Sequence, residues 1–540
     1  MVVIEPGAGQ ATPRVVKVCG ADVELANFFV GGRLDEDLTP GRAAVTLLSH
    51  IDGVPSRLAT AAPAGCNCLA CVERRASGQA SLPLPGSDPQ DRGRRFLAEN
   101  GGCAYIDLDH LEICLPEVRS AFDHVASWHA MLRIARRALE AANAVEPAGR
   151  RIQVLVNNRD GFGNSYGSHL DFLVTRRAWD NIFGRRMQYL LYLAAYQVSS
   201  IVFTGQGKVG CENGRPAAAY QLSQRADFIE SLTGPQTTFR RPIVNSRDEA
   251  LCGGGRNTLA RLHAIFFDST LCHVASLLKV GVMQIVLAMI EAERIDAACV
   301  LEDPLDALAA WSRDPALRTR ARLASGVEVT AVELQRRFFE GADAFASAGG
   351  LDGIVPRAAE ILALWDDTLA KLEARDFTAL TPRLDWVLKL SLLDRAQEQR
   401  PDLAWDAPAI RHLDHLYSSL DPRDGLYWAC EASGAVERVV SEETIARFTV
   451  EPPEDTRAWT RATLLRLAGR DGVEHVDWDA MRIRQRGRRG PAVTDVDLWH
   501  PAEFGKADVE RLVGPMGRLG DVLEGLSIKG ERHETAGPVH

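Results

Sequence analysis

Long apolar runs are missing from this chain of 540 residues. None reaches the roughly 18 residues that a membrane-crossing helix requires, so no span is expected. An excess of positive charge is missing as well. The 62 Lys and Arg are outnumbered by 72 Asp and Glu, giving a formal net charge of −10, which argues against general nucleic-acid binding. The start, Met1 to Pro13, lacks the charged end and apolar centre of a secretory signal, so a cytoplasmic location is expected. Paired cysteines are not indicated either: eleven, an odd number spread over a long chain, fit reduced thiols. Phe203-Thr-Gly-Gln-Gly-Lys-Val-Gly210 is glycine-rich but is not a phosphate loop, because the spacing fails and no Ser or Thr follows Lys208. At 46% hydrophobic residues, the chain can bury one large core and one or two smaller ones.

What is present centres on Asn100 to Glu117. Tyr105, Asp107 and Asp109 alternate with Ala104, Ile106 and Leu108, the period of a strand with one polar and one apolar face. His110 and Glu112 follow at once. Carboxylates side by side repel unless a cation or a shared proton relieves them, which points to metal binding or proton transfer; the plainer alternative is an acidic strand end running into a loop. Upstream, Arg14 to Gly20 reads as a strand. Asp22 and Glu24, two apart, then share one face of the extended chain, a natural ligand set for a hard cation. Asn157 to Phe172 crowds turn formers ahead of His169. Arg240 to Glu249 offers guanidinium groups suited to phosphate oxygens, with Arg240 and Arg247 as candidates and a surface salt-bridge network as the alternative. Residues 32–100 are loop-rich, and within them Cys66, Cys68 and Cys71 can bind zinc with a fourth ligand such as His50, or stand as free thiols. Ala121 to Ala144 and Val282 to Ala292 read as helices, Arg151 to Val156 as a buried strand. Residues 300–415 read as helical, with Trp311, Phe338, Phe339, Leu362, Leu364, Trp365, Trp386 and Leu390 in the core.

These stretches resemble one family. Tyr105, Asp107, His110, Glu112, Pro116 and Glu117 resemble the motif Y-[VI]-D-x-x-H-x-E-x-x-x-P-E of the Pup ligase and Pup deamidase/depupylase family, carboxylate–amine ligases grouped with glutamine synthetase. Gly20 to Glu24 resembles its magnesium strand G-x-E-x-E, with Asp22 in place of a glutamate. Asn157 to Phe172, Arg240 to Glu249, Arg261 to Thr270, Pro452 to Ala458 and Val476 to Trp478 resemble further segments in order, over about 14–300 and 420–480. The resemblance implies an α+β, glutamine-synthetase-like large domain at 14–420, with a curved antiparallel sheet packed on helices and an inserted loop at 32–100 near the active site. A small C-terminal domain at 421–525 and a loose tail at 526–540 would follow.

It further implies Mg2+ held by Asp22, Glu24, Tyr105, Glu112 and His169, and ATP or ADP met by Arg247, Arg457 and Trp478. Arg240 and Asn164 would meet the substrate, Asp107 would be the catalytic residue, and the partner would be a small Pup-like protein or peptide ending in Gln or Glu. Asp22 and Asp107 are 85 positions apart, and Asp107 and Glu112 five; both spacings resemble the deamidase branch. The expected activity is a nucleotide-dependent amidohydrolase, with an ATP-dependent carboxylate–amine ligase or a non-catalytic binding protein as alternatives. Five departures stand out. Cys103 replaces an arginine, Leu115 a threonine, Leu170 and Asp171 a Glu-Asn pair, and Gly253 to Gly255 a polar segment.

Overall fold

One long strand, β1 (Cys19–Gly31), is the spine of the molecule. Its alternation sends Asp22 and Glu24 to one face and Ala21, Val23 and Leu25 to the other, where all three are buried. The computed structural model describes residues 14–33, 36, 38–56, 94–252, 258–487, 490–514 and 518–526. The cysteines at 66, 68 and 71, the glycines at 253–255 and the tail beyond 526 lie outside the described residues.

Around β1 an antiparallel sheet is built from α1 (Pro40–Ser49) onward by β2 (Val54–Pro55), β3 (Arg95–Phe96), β4 (Cys103–Asp107), β5 (His110–Val118), β6 (Arg150–Leu155), β7 (Ser168–Thr175) and β8 (Leu259–Ala264). The order is β8-β7-β1-β5-β4-β3-β2, with β6 pairing the second half of β1. The apolar face packs on α2 (Ala121–Val145), capped by the Ser120 hydroxyl and burying Trp128, Met131 and Leu132. Behind it lie α3 (Met187–Thr204) and α4 (His273–Glu291). With a mean hydropathy of 1.8, α4 is long and apolar enough to cross a membrane, and it is entirely buried in the core. It starts nine residues before the expected Val282, because the run from His273 is buried on every side. Trp311, Phe338, Leu362, Trp365 and Trp386 are buried as expected, and Phe339, Leu364 and Leu390 pack against them in part.

The expected strand through Asp109 turns back instead. Asp107 pairs with His110 across a two-residue loop, Leu108-Asp109, in which both residues have positive φ (41° and 71°). This is the primed hairpin geometry that matches strand twist, usually made by Asn-Gly. Buried Asn27 pins it, donating to the Asp109 and Pro40 carbonyls (3.0 and 2.8 Å) and accepting from Leu111 N–H (2.7 Å).

Helix α5 (Leu426–Ala432) buries Tyr427 and Trp428 in the main core, and Ile445 and Phe448 pack on α2. Residues 421–450 therefore pack with the large body. A separate cluster gathers Leu464 and Leu465 of α6 (Arg457–Gly472) with Val476, Met481 and Ile483 of a three-stranded antiparallel sheet, β9 (Val473–Val476), β10 (Ala480–Gly487) and β11 (Gly490–Asp497). Phe96, Cys103 and Cys114 of the main sheet join the same cluster.

Buried Glu117 binds the two parts. It accepts from Arg457 Nε (2.7 Å) and Arg461 Nη2 (2.5 Å). Burial alone would raise its carboxyl, but the two guanidinium groups outweigh burial and hold it at about 2. Because the folded value lies below the ordinary 4.5, its stabilisation is complete above that pH and is lost as pH falls toward 2. Glu117→Gln leaves two buried cations unpaired and is expected to cost about 3–5 kcal/mol. Denaturant melts at neutral pH read the loss, and the difference between wild type and variant should shrink steadily as the pH of the melt is lowered below 4.5.

Candidate active site

The polar face of the sheet forms the floor of a cleft of about 1110 Å³. Strand register decides who meets whom. Glu112 lies opposite Glu24 on one side and Tyr105 on the other; Asp22 lies opposite His169 and Cys114; Asp171 lies opposite His263. Asp107 and His110 close the hairpin at the same end. Carboxylates from four strands thus share one buried face, and every one of them lines the cleft.

Their partners are specific. His169 Nδ1 lies 2.9 Å from Asp22 Oδ2, and His263 Nδ1 2.7 Å from Asp171 Oδ1. Gly167 N–H donates to Glu24 Oε1 (3.0 Å), and His110 Nδ1 is 3.4 Å from Glu24 Oε2. Asp22, His169 and His263 each offer a ligand atom within 4.8 Å of the others.

Electrostatics single out Glu112. Burial first, then the charges of Asp22, Glu24 and Asp107, push its carboxyl well above the ordinary range, against hydrogen bonding from Tyr105. Burial and Asp171 likewise push Asp22 up, while Arg261 and His263 hold Asp171 below the ordinary range despite its burial. Glu24 stays low despite burial, through His110, His169 and the Gly167 amide. Burial lowers His169 to about 4, leaving its ring neutral and its lone pair free to ligate. Carboxyls crowded so that they push one another up are what a divalent cation would relieve. The donors are mainly hard oxygens, and the set fits Mg2+.

The walls carry the other residues of interest. Arg247 lines the cleft from an exposed position, with Nε 3.1 Å from Glu249. Asn164 lines it on the loop before β7, its amide donating to Asp160 (2.6 Å). Arg457 reaches the lining, but its Nε is engaged by Glu117 and its Nη1 by the Leu251 and Leu498 carbonyls (3.0 and 3.1 Å). It serves as a strut whether or not it also meets a ligand. Trp478 lines the far end with Phe96 edge-on (5.2 Å) and the Arg461 guanidinium 4.8 Å from its ring centre.

Arg240 is displaced from its expected place. It is exposed, precedes its strand at a φ of 45° and does not line the cleft; the next residue, Arg241, does. Starting the strand at Arg241 sets the side-chain alternation, and that turns Arg241 inward, with Nη2 donating to the Ser165 carbonyl (2.6 Å). Arg225, close to both Arg241 and Glu24, is fully buried with its Nε and Nη2 unpartnered. Leu170 and Leu115 both pair with Ala21 on the core face, 1% and 2% exposed, which is why apolar residues stand there. Cys103 is on the site face. Beside it Arg94, on the neighbouring segment, sets its guanidinium 4.8 Å over the Tyr105 ring.

Sequence reasoning passed over His263, Asp171, Arg241, Arg225 and Arg94. For the first two a signal existed: Asp171 is two residues from His169, and His263 two from Arg261, so each pair shares a strand face. For Arg94, beside a loop-rich stretch, no pattern marked the position.

Comparison with known proteins agrees with this geometry. The profile of the Pup-ligase protein family matches residues 70–482. The Pup deamidase/depupylase of Mycobacterium tuberculosis is 34% identical over 455 residues, covering 83% of this chain and 86% of its own. A Pup–protein ligase of Acidimicrobium ferrooxidans is 35% identical over 409 residues, covering 75% and 87%. Among solved structures, the Pup ligase PafA in complex with ADP superposes with a TM-score of 0.68 at 25% identity, over 87% of this chain and 97% of that one. The complex of Pup with its ligase PafA gives 0.72 at 24%, over 96% and 93%. With a shared profile over most of its length, relatives at a third identity and the same α+β fold, the chain belongs to the Pup-ligase protein family.

Proposed function

We propose that the chain is a nucleotide- and Mg2+-dependent amidohydrolase acting on a small Pup-like protein, cleaving the side-chain amide or isopeptide bond at its C-terminal Gln or Glu. The observation that carries this reading is the cluster of Asp22, Glu24, Glu112 and His169 on one sheet face, with Asp107 at the hairpin end of the same cleft. Asp22, Glu24, Tyr105, Glu112 and His169, with His263 added by the structure, would hold Mg2+. The ion would neutralise nucleotide phosphates and polarise the reacting oxygen.

The chain's own residues do the rest. As a base, Asp107 takes a proton from the water that attacks the amide carbon and passes it to the departing amine. As a nucleophile, it forms a mixed anhydride with that carbon as the C–N bond breaks, and water supplies the amine's proton and hydrolyses the anhydride to restore Asp107. Arg241, with Arg225 behind it, supplies positive charge beside Glu24 for phosphate oxygens. Trp478, flanked by Phe96 and Arg461, offers a flat face for a purine ring at the far end. The 85-residue separation of Asp22 and Asp107 supports the hydrolytic direction. The eight described cysteines are all free, which suits a reducing, cytoplasmic setting.

A ligase reading is kept because a Pup–protein ligase is as similar in sequence as the deamidase. Incubation with a Pup peptide ending in Gln, ATP and Mg2+ separates them by mass spectrometry and ADP assay. Conversion of Gln to Glu without stoichiometric ADP supports hydrolysis. ADP released one-to-one with a new isopeptide on an added lysine protein would establish the ligase instead.

Asp107→Asn is expected to lower the hydrolytic rate at least about 100-fold with nucleotide affinity unchanged, as read by single-turnover kinetics and calorimetric titration. Arg241→Ala is expected to weaken nucleotide binding by about 1.5–3 kcal/mol, the range for a hydrogen bond to a charged group, while Arg240→Ala leaves it unchanged. Equal losses in the two variants would remove Arg241 from the site.

A further inference from the structure

A second constellation lies outside the cleft. His129 of α2, His273 at the start of α4 and Glu431 of α5 each present a ligand atom within 4.8 Å of the other two, and none of the three lines the cleft. The imidazoles are 3% and 0% exposed, and their rings lie 4.2 Å apart with a 31° tilt. His129 Nε2 and both ring nitrogens of His273 are buried without a hydrogen-bond partner. His273 Nε2 is 3.7 Å from Glu431 Oε1, too long for a hydrogen bond.

Buried polar nitrogens normally find partners, because leaving them unmet forfeits their hydration. Here one ring nitrogen from each histidine lies within 4.8 Å of the other and of a Glu431 oxygen, and both rings carry orphaned nitrogens, which makes the three side chains a ligand set. We propose that His129, His273 and Glu431 form a second metal site, taking a borderline divalent transition-metal ion such as Zn2+, that clamps α2, α4 and α5 together. Imidazole nitrogen with one carboxylate selects Zn2+ over Mg2+. Bonds of about 2.1 Å place tetrahedral ligand atoms about 3.4 Å apart, so small side-chain rotations close the observed spacing.

The surroundings suit that role. Burial keeps both rings neutral, with lone pairs available. Contacts with His273 and the Arg438 guanidinium hold the Glu431 carboxyl below the ordinary range despite its burial. Arg438 Nη2 donates to Glu431 Oε1 (2.7 Å) and to Glu442 Oε2 (3.2 Å), fixing the carboxylate as an outer hydrogen bond does for a ligating group. The T-shaped contact of Trp428 with His129 (6.3 Å) and the Arg136 guanidinium 4.0 Å over Trp428 wall off the site. Three protein ligands leave a fourth position for water.

The test counts metal in the full-length protein. Wild type, Glu431→Gln and His273→Asn are dialysed against Zn2+ and the ion per chain is measured by plasma mass spectrometry; a parallel set is loaded with Co2+ for visible spectra. Each variant is expected to retain one zinc fewer than wild type and to lose one set of Co2+ ligand-field bands. Added Zn2+ should raise the melting temperature of wild type more than that of Glu431→Gln. Equal zinc content and identical Co2+ spectra in wild type and variants overturn the proposal and leave a stacked histidine pair bridged by water. If His273→Asn does not fold, the near-isosteric Glu431→Gln decides alone. Taking the difference between chains removes any contribution from the cleft.

Discussion

Several carboxylates on one buried sheet face cannot all be charged unless positive charge comes to them, and this constraint shapes the molecule. Glu112 has Asp22, Glu24 and Asp107 as electrostatic neighbours and is driven toward its protonated form. The imidazoles of His110, His169 and His263 and the guanidinium groups of Arg261, Arg241 and Arg225 surround that face. Such a surface survives in a folded protein because its reverse side is apolar. Ala21, Val23, Leu25, Leu111, Ile113 and Leu170 point into the core beneath α2, and full burial of a Val, Leu or Ile side chain contributes about 1.5–3 kcal/mol. The strain of a non-glycine hairpin at Leu108 and Asp109 is held beside the same charges by Asn27.

The cleft has a second wall only because the chain returns. Glu117 lies near the end of the floor strand β5, and its two salt bridges hold Arg457 and Arg461 of α6, more than 300 residues later in the chain. Arg461 then passes its guanidinium over Trp478 and donates to the Gly101 and Trp478 carbonyls (2.8 and 3.0 Å). One buried carboxylate thereby sets the distance between the acidic floor and an aromatic face. The hydrophobic cluster of the C-terminal sheet, which takes in Phe96 and Cys103, keeps that distance fixed.

Much of the site was legible in the chain because strands encode faces by alternation. Asp22 and Glu24 announced their shared face, Tyr105 and Asp107 theirs, and His169 followed an unmistakable turn segment. The same rule would have yielded Asp171 and His263, which were hidden only because Asp171 stood in a departure from the family motif. Arg240 shows the limit of the rule: without knowing that the strand opens at Arg241, one arginine cannot be told from its neighbour, and a shift of one residue reverses the face. The strand expected through Asp109 failed for a related reason. Leu-Asp carries no turn signature, and only the tertiary grip of Asn27 makes it one.

The sequence by itself determined the α+β class, the apolar helices, the acidic strands and the family, since these rest on local period and on motifs a few residues long. It also named Asp107, Glu112 and His169. The tertiary structure alone decided which carboxylates crowd one another, that Arg457 is tied to Glu117, that Arg94 lies over Tyr105, and that two histidines 144 positions apart stack beside Glu431. Those are contacts between strands and helices remote in the chain. Their energies depend on register, burial and the charges brought near, none of which a linear pattern carries.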